Sequence, residues 1–532
     1  MSPKSSEKRK LTNELKRKIG QLFMVGIPDN SFPDEYAEIC KEYYIGNFTL
    51  NANNCTSLEE MCNLISSIRK CTFLSSGVYP FFEIDQEGGW VTRFYEGAAM
   101  ISGAMSFAAS GADEEKMKKI GARTGRILRA VGCNANTAPV LDVNINPENP
   151  IIGTRSFGEK PEVVTALGRG YSEGLQSENV MAVAKHFPGH GNVMGDTHTD
   201  IVHNFSDAET LRKTEHLPFR EVFASGCGGL MTAHVIHDAF SAEPATVSYE
   251  IMTELLRNEM KFGGVAVTDA MEMKGISDAY PDGEAAVRAI LAGCDVLLYY
   301  TFRRESFEAA INAVYKAVED GVITEARIDE SYERILKQKE RFNIASAEPD
   351  IELAKKIIYN EEDIAENFSD KLSSITCIKN DGILDELSGK RILCISPVCD
   401  ALRGVEESRR QILSFADILA DEIENVALCI SSLEGMTSEV ENAIDGEYDV
   451  AIVGVFDALS MPGQLDIIRA LEKKGKTVIA VLLRTPYDYK YVKNCSAVIA
   501  SYEYTMLSAK ATAVAIKDCD FRGKLPVTLP EM

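Results

Sequence analysis

Met181-Ala-Val-Ala-Lys-His-Phe187, followed at once by Pro188-Gly-His-Gly191, sets the frame for reading this chain. The run is apolar on both faces, which suits a strand covered on both sides in a parallel sheet rather than one with a wet face. Pro-Gly ends it abruptly, and two polar residues, Lys185 and His186, sit at its C-terminal end. Similar runs are centred near Phe23, Phe48, Phe82, Val140, Met231, Val267 and Leu297. Amphipathic stretches at 114–131, 162–177 and 284–292 read as helices between them. Eight β-then-α units predict a (β/α)8 TIM-like barrel; an open doubly wound sheet is the alternative.

A charged helix is expected to close this region near Phe342. The division drawn from the sequence is a catalytic barrel over 1–342, a linker over 343–368 and a smaller C-terminal α/β sandwich domain over 369–532. Strands of the second domain are expected at 391–397, 426–431, 448–456, 477–483 and 497–502.

Composition narrows the function classes. Hydrophobic residues make up 45% and charged residues 26%, ordinary globular usage. No apolar run approaches the roughly 18 residues of a membrane span. The net charge of -24 disfavours nucleic acid, whose binding needs Lys and Arg against phosphates. A basic cluster at 4–18 is interleaved with Glu7 and Glu14 and reads as a solvated helix start. The first apolar stretch, 21–27, is broken by glycine and followed by Pro-Asp-Asn rather than by a cleavage site, and the 13 cysteines are scattered. A cytoplasmic protein with reduced thiols is therefore expected, as a monomer or homodimer, with no membrane partner.

The polar residues that stand out follow the strands: Asp85-Gln-Glu-Gly-Gly89 and then Arg93, Lys185 with His186, and Asp269. Barrel enzymes build their sites at these ends. The competing reading of such an Asp is a cap on the following helix. All seven histidines lie between His186 and His237. Metal binding through His186, His190, His198 and His203 competes with acid/base work. Pro188, Gly189 and Gly191 break any helix that would align His186 with His190, so no metal and no cofactor are expected. In Asp196-Thr-His198, an extended backbone would put both side chains on one face, the carboxylate orienting the imidazole.

Taken together, Ile84-Asp-Gln-Glu-Gly-Gly89, Gly153-Thr-Arg-Ser-Phe-Gly158, Lys185-His-Phe-Pro-Gly-His-Gly191, Met231-Thr-Ala-His234 and Val267-Thr-Asp-Ala-Met-Glu-Met273 resemble family 3 glycoside hydrolases, and more narrowly their two-domain β-N-acetylglucosaminidases. Arg484-Thr-Pro-Tyr-Asp488 and Gly523-Lys-Leu-Pro-Val-Thr528 extend the likeness. The resemblance implies a retaining exo-enzyme that removes terminal β-linked GlcNAc from muropeptides or chitooligosaccharides, a role in peptidoglycan recycling. It implies Asp269 as nucleophile, His198 with Asp196 as acid/base pair, and Asp85, Arg93, Arg155, Lys185 and His186 as sugar-binding residues. Lys185 and Arg155 also suit structural ion pairs. A β-glucosidase-type or phosphorylase member of the family is the alternative, and a silent sugar-binding protein the rival from another class. The chain departs from the family pattern at Asn192-Val193, at Trp90, read here as packing rather than as a sugar platform, and at Thr199-Asp-Ile-Val-His203.

Overall fold

The computed structural model describes residues 11–399 and 413–530; residues 4–10 of the basic cluster lie outside them. The chain forms two compact units. The first runs through Gln86 and then takes Glu114–Ile151 and Val164–Ile358; the second takes Glu87–Asp113, Ile152–Val163 and the chain from Tyr359 onward.

The first unit is a closed barrel of eight strands: β1 (Phe23–Gly26), β2 (Asn47–Leu50), β3 (Phe81–Ile84), β4 (Ala135–Asn136), β5 (Met181–Phe187), β6 (Gly229–Thr232), β7 (Val265–Ala270) and β8 (Val296–Tyr299). Neighbours in sequence are neighbours in the barrel, and β1 pairs with β8 to close it. Its pairings are parallel, Met24 opposite Asn47 and Phe48 opposite Phe82, for example. β1, β2, β3, β5, β6 and β8 are buried along their whole length, which is why apolar residues predominate in them without a polar face. The helices Glu114–Ala130, Pro161–Ser177 and Asp282–Ala292 fall where periodicity placed them, and Glu325–Arg341 ends at Phe342.

The fourth strand differs from its expected position around Val140. Only Ala135–Asn136 joins the ladder, and Val140 makes one isolated bridge to Lys185. Pro139 has no N–H to give a neighbouring strand. The chain still runs along β5, since the Pro139 carbonyl accepts from the Lys185 N–H and the Leu141 N–H donates to the Lys185 carbonyl.

In the second unit β9 (Thr376–Asn380), β10 (Ile392–Cys399), β11 (Leu413–Ser414), β12 (Val426–Ser431), β13 (Val450–Val455), β14 (Thr477–Leu482) and β15 (Ala497–Ala500) form one sheet. β12, β10, β13, β14 and β15 are parallel in that order, and β9 adds an antiparallel edge against β15. Alternate residues feed two cores. Ile392, Cys394, Val450, Ile452, Ile479 and Val481 enter one, while Leu393, Ile395, Ala451, Val453, Ala480 and Leu482 enter the other. Both faces are covered, which makes this unit an α/β sandwich. Within 343–368, Ile351–Ile358 is helical and a second helix, Glu361–Ser374, begins.

Candidate active site

Two register shifts place the polar side chains at the barrel's C-terminal end. Between β5 and β6, Ala184 pairs with Leu230 but Phe187 with Thr232, so β5 carries one extra residue where Lys185 and His186 stand. Between β7 and β8, Val267 pairs with Val296 but Ala270 with Leu298, and Asp269 stands in that irregularity. An extra residue in a ladder re-aims side chains off the regular alternation, a device frequent next to active sites.

Asp85 follows β3. Its Oδ1 accepts from Lys185 Nζ at 2.7 Å, so the ion-pair reading of Lys185 holds. Thr137 Oγ1 lies within hydrogen-bond distance of both Asp85 and Glu83. Glu83, on β3, is buried; burial, and then the charge of Asp85, push its carboxyl up to about 7. Glu83 therefore takes up a proton far more readily than an exposed glutamate.

Asp142 is fully buried and organises two histidines. It accepts from the His186 N–H and, at 2.6 Å, from the His186 Nδ1–H, while its Oδ1 accepts from the His190 N–H at 2.7 Å. Burial opposes its ionisation, but His186 and His190 outweigh that and hold its carboxyl below the usual range. With Nδ1 donating to a carboxylate, the imidazole of His186 is fixed in tautomer and direction.

Asp196 and His198 come together at half-buried positions, Nδ1 to Oδ1 2.6 Å. The backbone between them is a turn rather than extended, contrary to expectation. The same Oδ1 accepts the His198 N–H at 2.8 Å, and the Asp196 carbonyl accepts from the N–H groups of Thr199 and Asp200. This is an aspartate turn, in which the side chain captures a backbone N–H two residues on, and it delivers the pairing more firmly than strand alternation does. Burial raises the Asp196 carboxyl, but His198 prevails and keeps it below the usual range.

Asp269 does not cap a helix. The next one, Lys274–Ser277, has Met273 at its N-cap, and Asp269 Oδ1 accepts the adjacent Ala270 N–H at 2.7 Å. Burial opposes its charge, yet His186, His234, His198 and the Ala270 N–H together hold its carboxyl below the usual range. Asp269 is only partly exposed and is an anion on which three histidines act electrostatically. His234 is buried and biased to the neutral form by that burial. Its Nε2 lies 3.0 Å from the Ala270 carbonyl, an acceptor, so Nε2 carries the proton and Nδ1 accepts from the Thr246 hydroxyl at 2.8 Å. His203 instead pairs with Asp238 at the surface. Among the described residues no group of three or more His, Cys, Asp or Glu side chains is placed to hold a metal ion.

Arg93 and Arg155 belong to the second unit, and both are buried. Arg155 makes a two-pronged ion pair with Glu87, 2.8 and 3.0 Å, as the structural reading expected. Trp90 lies in the core of that unit, edge-on to Phe456 at 5.5 Å, which bears out packing. Asn192, in the departure from the family pattern, donates to Ser206 Oγ and, through its N–H, to the buried Glu215.

Asp142 is the residue the sequence reading missed. It ends the apolar run Pro139-Val-Leu-Asp142, so the rule that selected Asp85 and Asp269 also selects it.

Residues 14–338 match the Glycosyl hydrolase family 3 N terminal domain. Beta-hexosaminidase A of Pseudoalteromonas piscicida is 30% identical over 90% of this chain and 86% of its own length. A beta-N-acetylglucosaminidase/beta-glucosidase of Cellulomonas fimi is 29% identical over 60% of this chain and 57% of its own. The solved structure of a glycoside hydrolase family 3 beta-N-acetylglucosaminidase from Paenibacillus sp. str. FPU-7 superposes with a TM-score of 0.89 at 31% identity, covering 98% of this chain and 99% of that one. The family match spans most of the barrel and the solved structure covers both units, and the chain belongs to glycosyl hydrolase family 3.

Proposed function

We propose that this glycoside hydrolase is a retaining exo-β-N-acetylglucosaminidase with Asp269 as nucleophile and the His198–Asp196 pair as acid/base. The observation that carries the reading is the 2.6 Å contact between His198 and Asp196, with His198 among the groups that hold the partly exposed Asp269 carboxyl below the usual range. In the first step Asp269 attacks the anomeric carbon, and protonated His198 gives its Nε2 proton to the departing glycosidic oxygen. In the second, His198 accepts a proton from water, whose oxygen displaces Asp269 from the sugar. Asp196 holds Nδ1 and stabilises the imidazolium, so Nε2 carries the exchange. A neutral base leaves the second step without another anion beside the sugar.

Asp85, Lys185 and His186 are proposed to bind hydroxyls of the GlcNAc ring, with Asp142 fixing the ring of His186. For Arg93 and Arg155 the same role rests on the family resemblance alone. Hexosaminidase and β-N-acetylglucosaminidase relatives support a GlcNAc preference. Muropeptides or chitooligosaccharides in the cytoplasm are the proposed natural substrates, and a monomer or homodimer the proposed form. No helix among the described residues is long and apolar enough to cross a membrane.

The test is release of p-nitrophenol from the β-GlcNAc and β-glucose glycosides side by side, with and without phosphate. A strong GlcNAc preference with free sugar as product supports the proposal. Preference for glucose, or sugar 1-phosphate as product, replaces it with the β-glucosidase or phosphorylase reading.

A further inference from the structure

The proposed acid/base pair sits on a segment with no helix or strand of its own, so its position depends on what grips the loop. Thr197, the residue between the pair, is 1% exposed although Asp196 and His198 are only half-buried. Two contacts hold it. His190 Nε2 lies 3.2 Å from its Oγ1, and the Gly275 N–H donates to its carbonyl at 2.9 Å. A Cβ at Gly275 would stand 3.1 Å from that carbonyl and 3.0 Å from His234 Cβ, so a larger residue would have to push these neighbours back by a few tenths of an ångström.

His190 is itself anchored. Its N–H donates to Asp142 at 2.7 Å and its carbonyl accepts from the Asn149 side chain at 2.7 Å. Burial drives its pKa down to about 4, so the ring is neutral near pH 7. Its buried Nδ1 has no hydrogen-bond partner among the described residues. A buried N–H left unpaired is rarer than an unpaired acceptor, so the proton belongs on Nε2, donating to the Thr197 hydroxyl. The ring's one engaged nitrogen is spent on the loop.

We propose that His190 and Thr197 form a latch that sets the His198–Asp196 pair in its reacting position. They are positioning residues and act on proton transfer only through His198. This rests on the acid/base reading of His198, and the same Asp142 that orients His186 anchors the fixed half of the latch.

The experiment measures kcat/KM, which reports glycosylation, for aryl β-GlcNAc substrates from 2,4-dinitrophenyl to phenyl, in Thr197→Val, Thr197→Ser, His198→Ala and Thr197→Val/His198→Ala. Misplacing a proton donor by a fraction of an ångström costs on the order of tenfold or more. Thr197→Val should lose that much on the phenyl glycoside, little on the dinitrophenyl glycoside, and nothing further once His198 is gone. Thr197→Ser should restore the parent profile. Gly275→Ala, which crowds the same carbonyl, should reproduce the leaving-group signature without touching either side chain. Equal losses on both leaving groups, or full losses in the His198→Ala background, would overturn the latch. If His198→Ala itself shows no leaving-group dependence, the acid/base reading falls first and takes the latch with it.

Discussion

Asp142 and His186, 2.6 Å apart between Oδ2 and Nδ1, form a fully engaged carboxylate–imidazole pair at the base of the site. Because Asp142 also receives two backbone N–H groups, its charge is compensated without solvent, and it fixes both the tautomer and the direction of the ring it holds. Asp142→Asn should therefore leave the fold intact and lower kcat/KM by roughly a hundredfold, the scale of a misplaced binding group. Steady-state kinetics with a thermal melt checks this; an unchanged kcat/KM would remove His186 orientation from the mechanism.

Asp269→Asn should keep the melting profile and lose at least about a thousandfold in turnover, as nucleophile deletions do. A 2-deoxy-2-fluoro glycoside should label the parent enzyme, and peptide mapping should place the adduct on Asp269. Labelling elsewhere would reassign the nucleophile.

His198→Ala is expected to cost about 10²–10⁴-fold on substrates with poor leaving groups, the contribution of a general acid. Dinitrophenyl glycosides, whose leaving group needs no proton, should be nearly spared. The plot of log kcat/KM against leaving-group pKa should steepen.

His216 is buried between Phe187 and Phe240, with neither ring nitrogen hydrogen-bonded among the described residues. Burial, followed by Arg212 and Arg220, pushes its pKa down to about 3. The unfolded chain takes up that proton near pH 6.5 and the folded chain does not, so its contribution to stability is complete above about pH 6.5 and is lost as pH falls toward 3. His216→Phe should thus gain on the parent progressively below pH 6.5, at about 1.4 kcal/mol for each tenfold difference in proton affinity. Urea midpoints at pH 5 and pH 8 measure the gap; an equal gap at both would refute the assignment.

Gly191 lies where a Cβ would stand 1.8 Å from the Val143 carbonyl. Gly191→Ala must displace the base of the acid/base loop, at a cost of roughly 1–3 kcal/mol. Its activity should fall on the phenyl glycoside more than on the dinitrophenyl one.

The barrel was legible because its strands are buried on both faces, and burial writes itself as unbroken apolar runs such as Met181-Ala-Val-Ala. The fourth strand was misplaced because Pro139 interrupts a ladder without changing the apolar run. β9 was not foreseen because Thr376–Asn380 is a half-buried edge strand with little apolar signal. The rule that barrel enzymes build their sites at strand ends picks out Asp85, Lys185, His186 and Asp269 as candidates, and the structure places each at or just after the C-terminal end of its strand.

What the sequence determined by itself, then, is the local grammar: which runs become strands, which carboxylates and imidazoles stand at their ends, and that Asp196 and His198 are close enough in sequence to meet. Tertiary structure decided which histidine each buried carboxylate holds. Asp142 is 44 residues from His186 and 48 from His190, and Gly275 reaches the Thr197 carbonyl from beyond β7. Such pairings follow from barrel closure and from one-residue register shifts in β5 and β7. An extra residue in one strand re-aims the side chains around it, so which groups face one another is decided only when the strands pair.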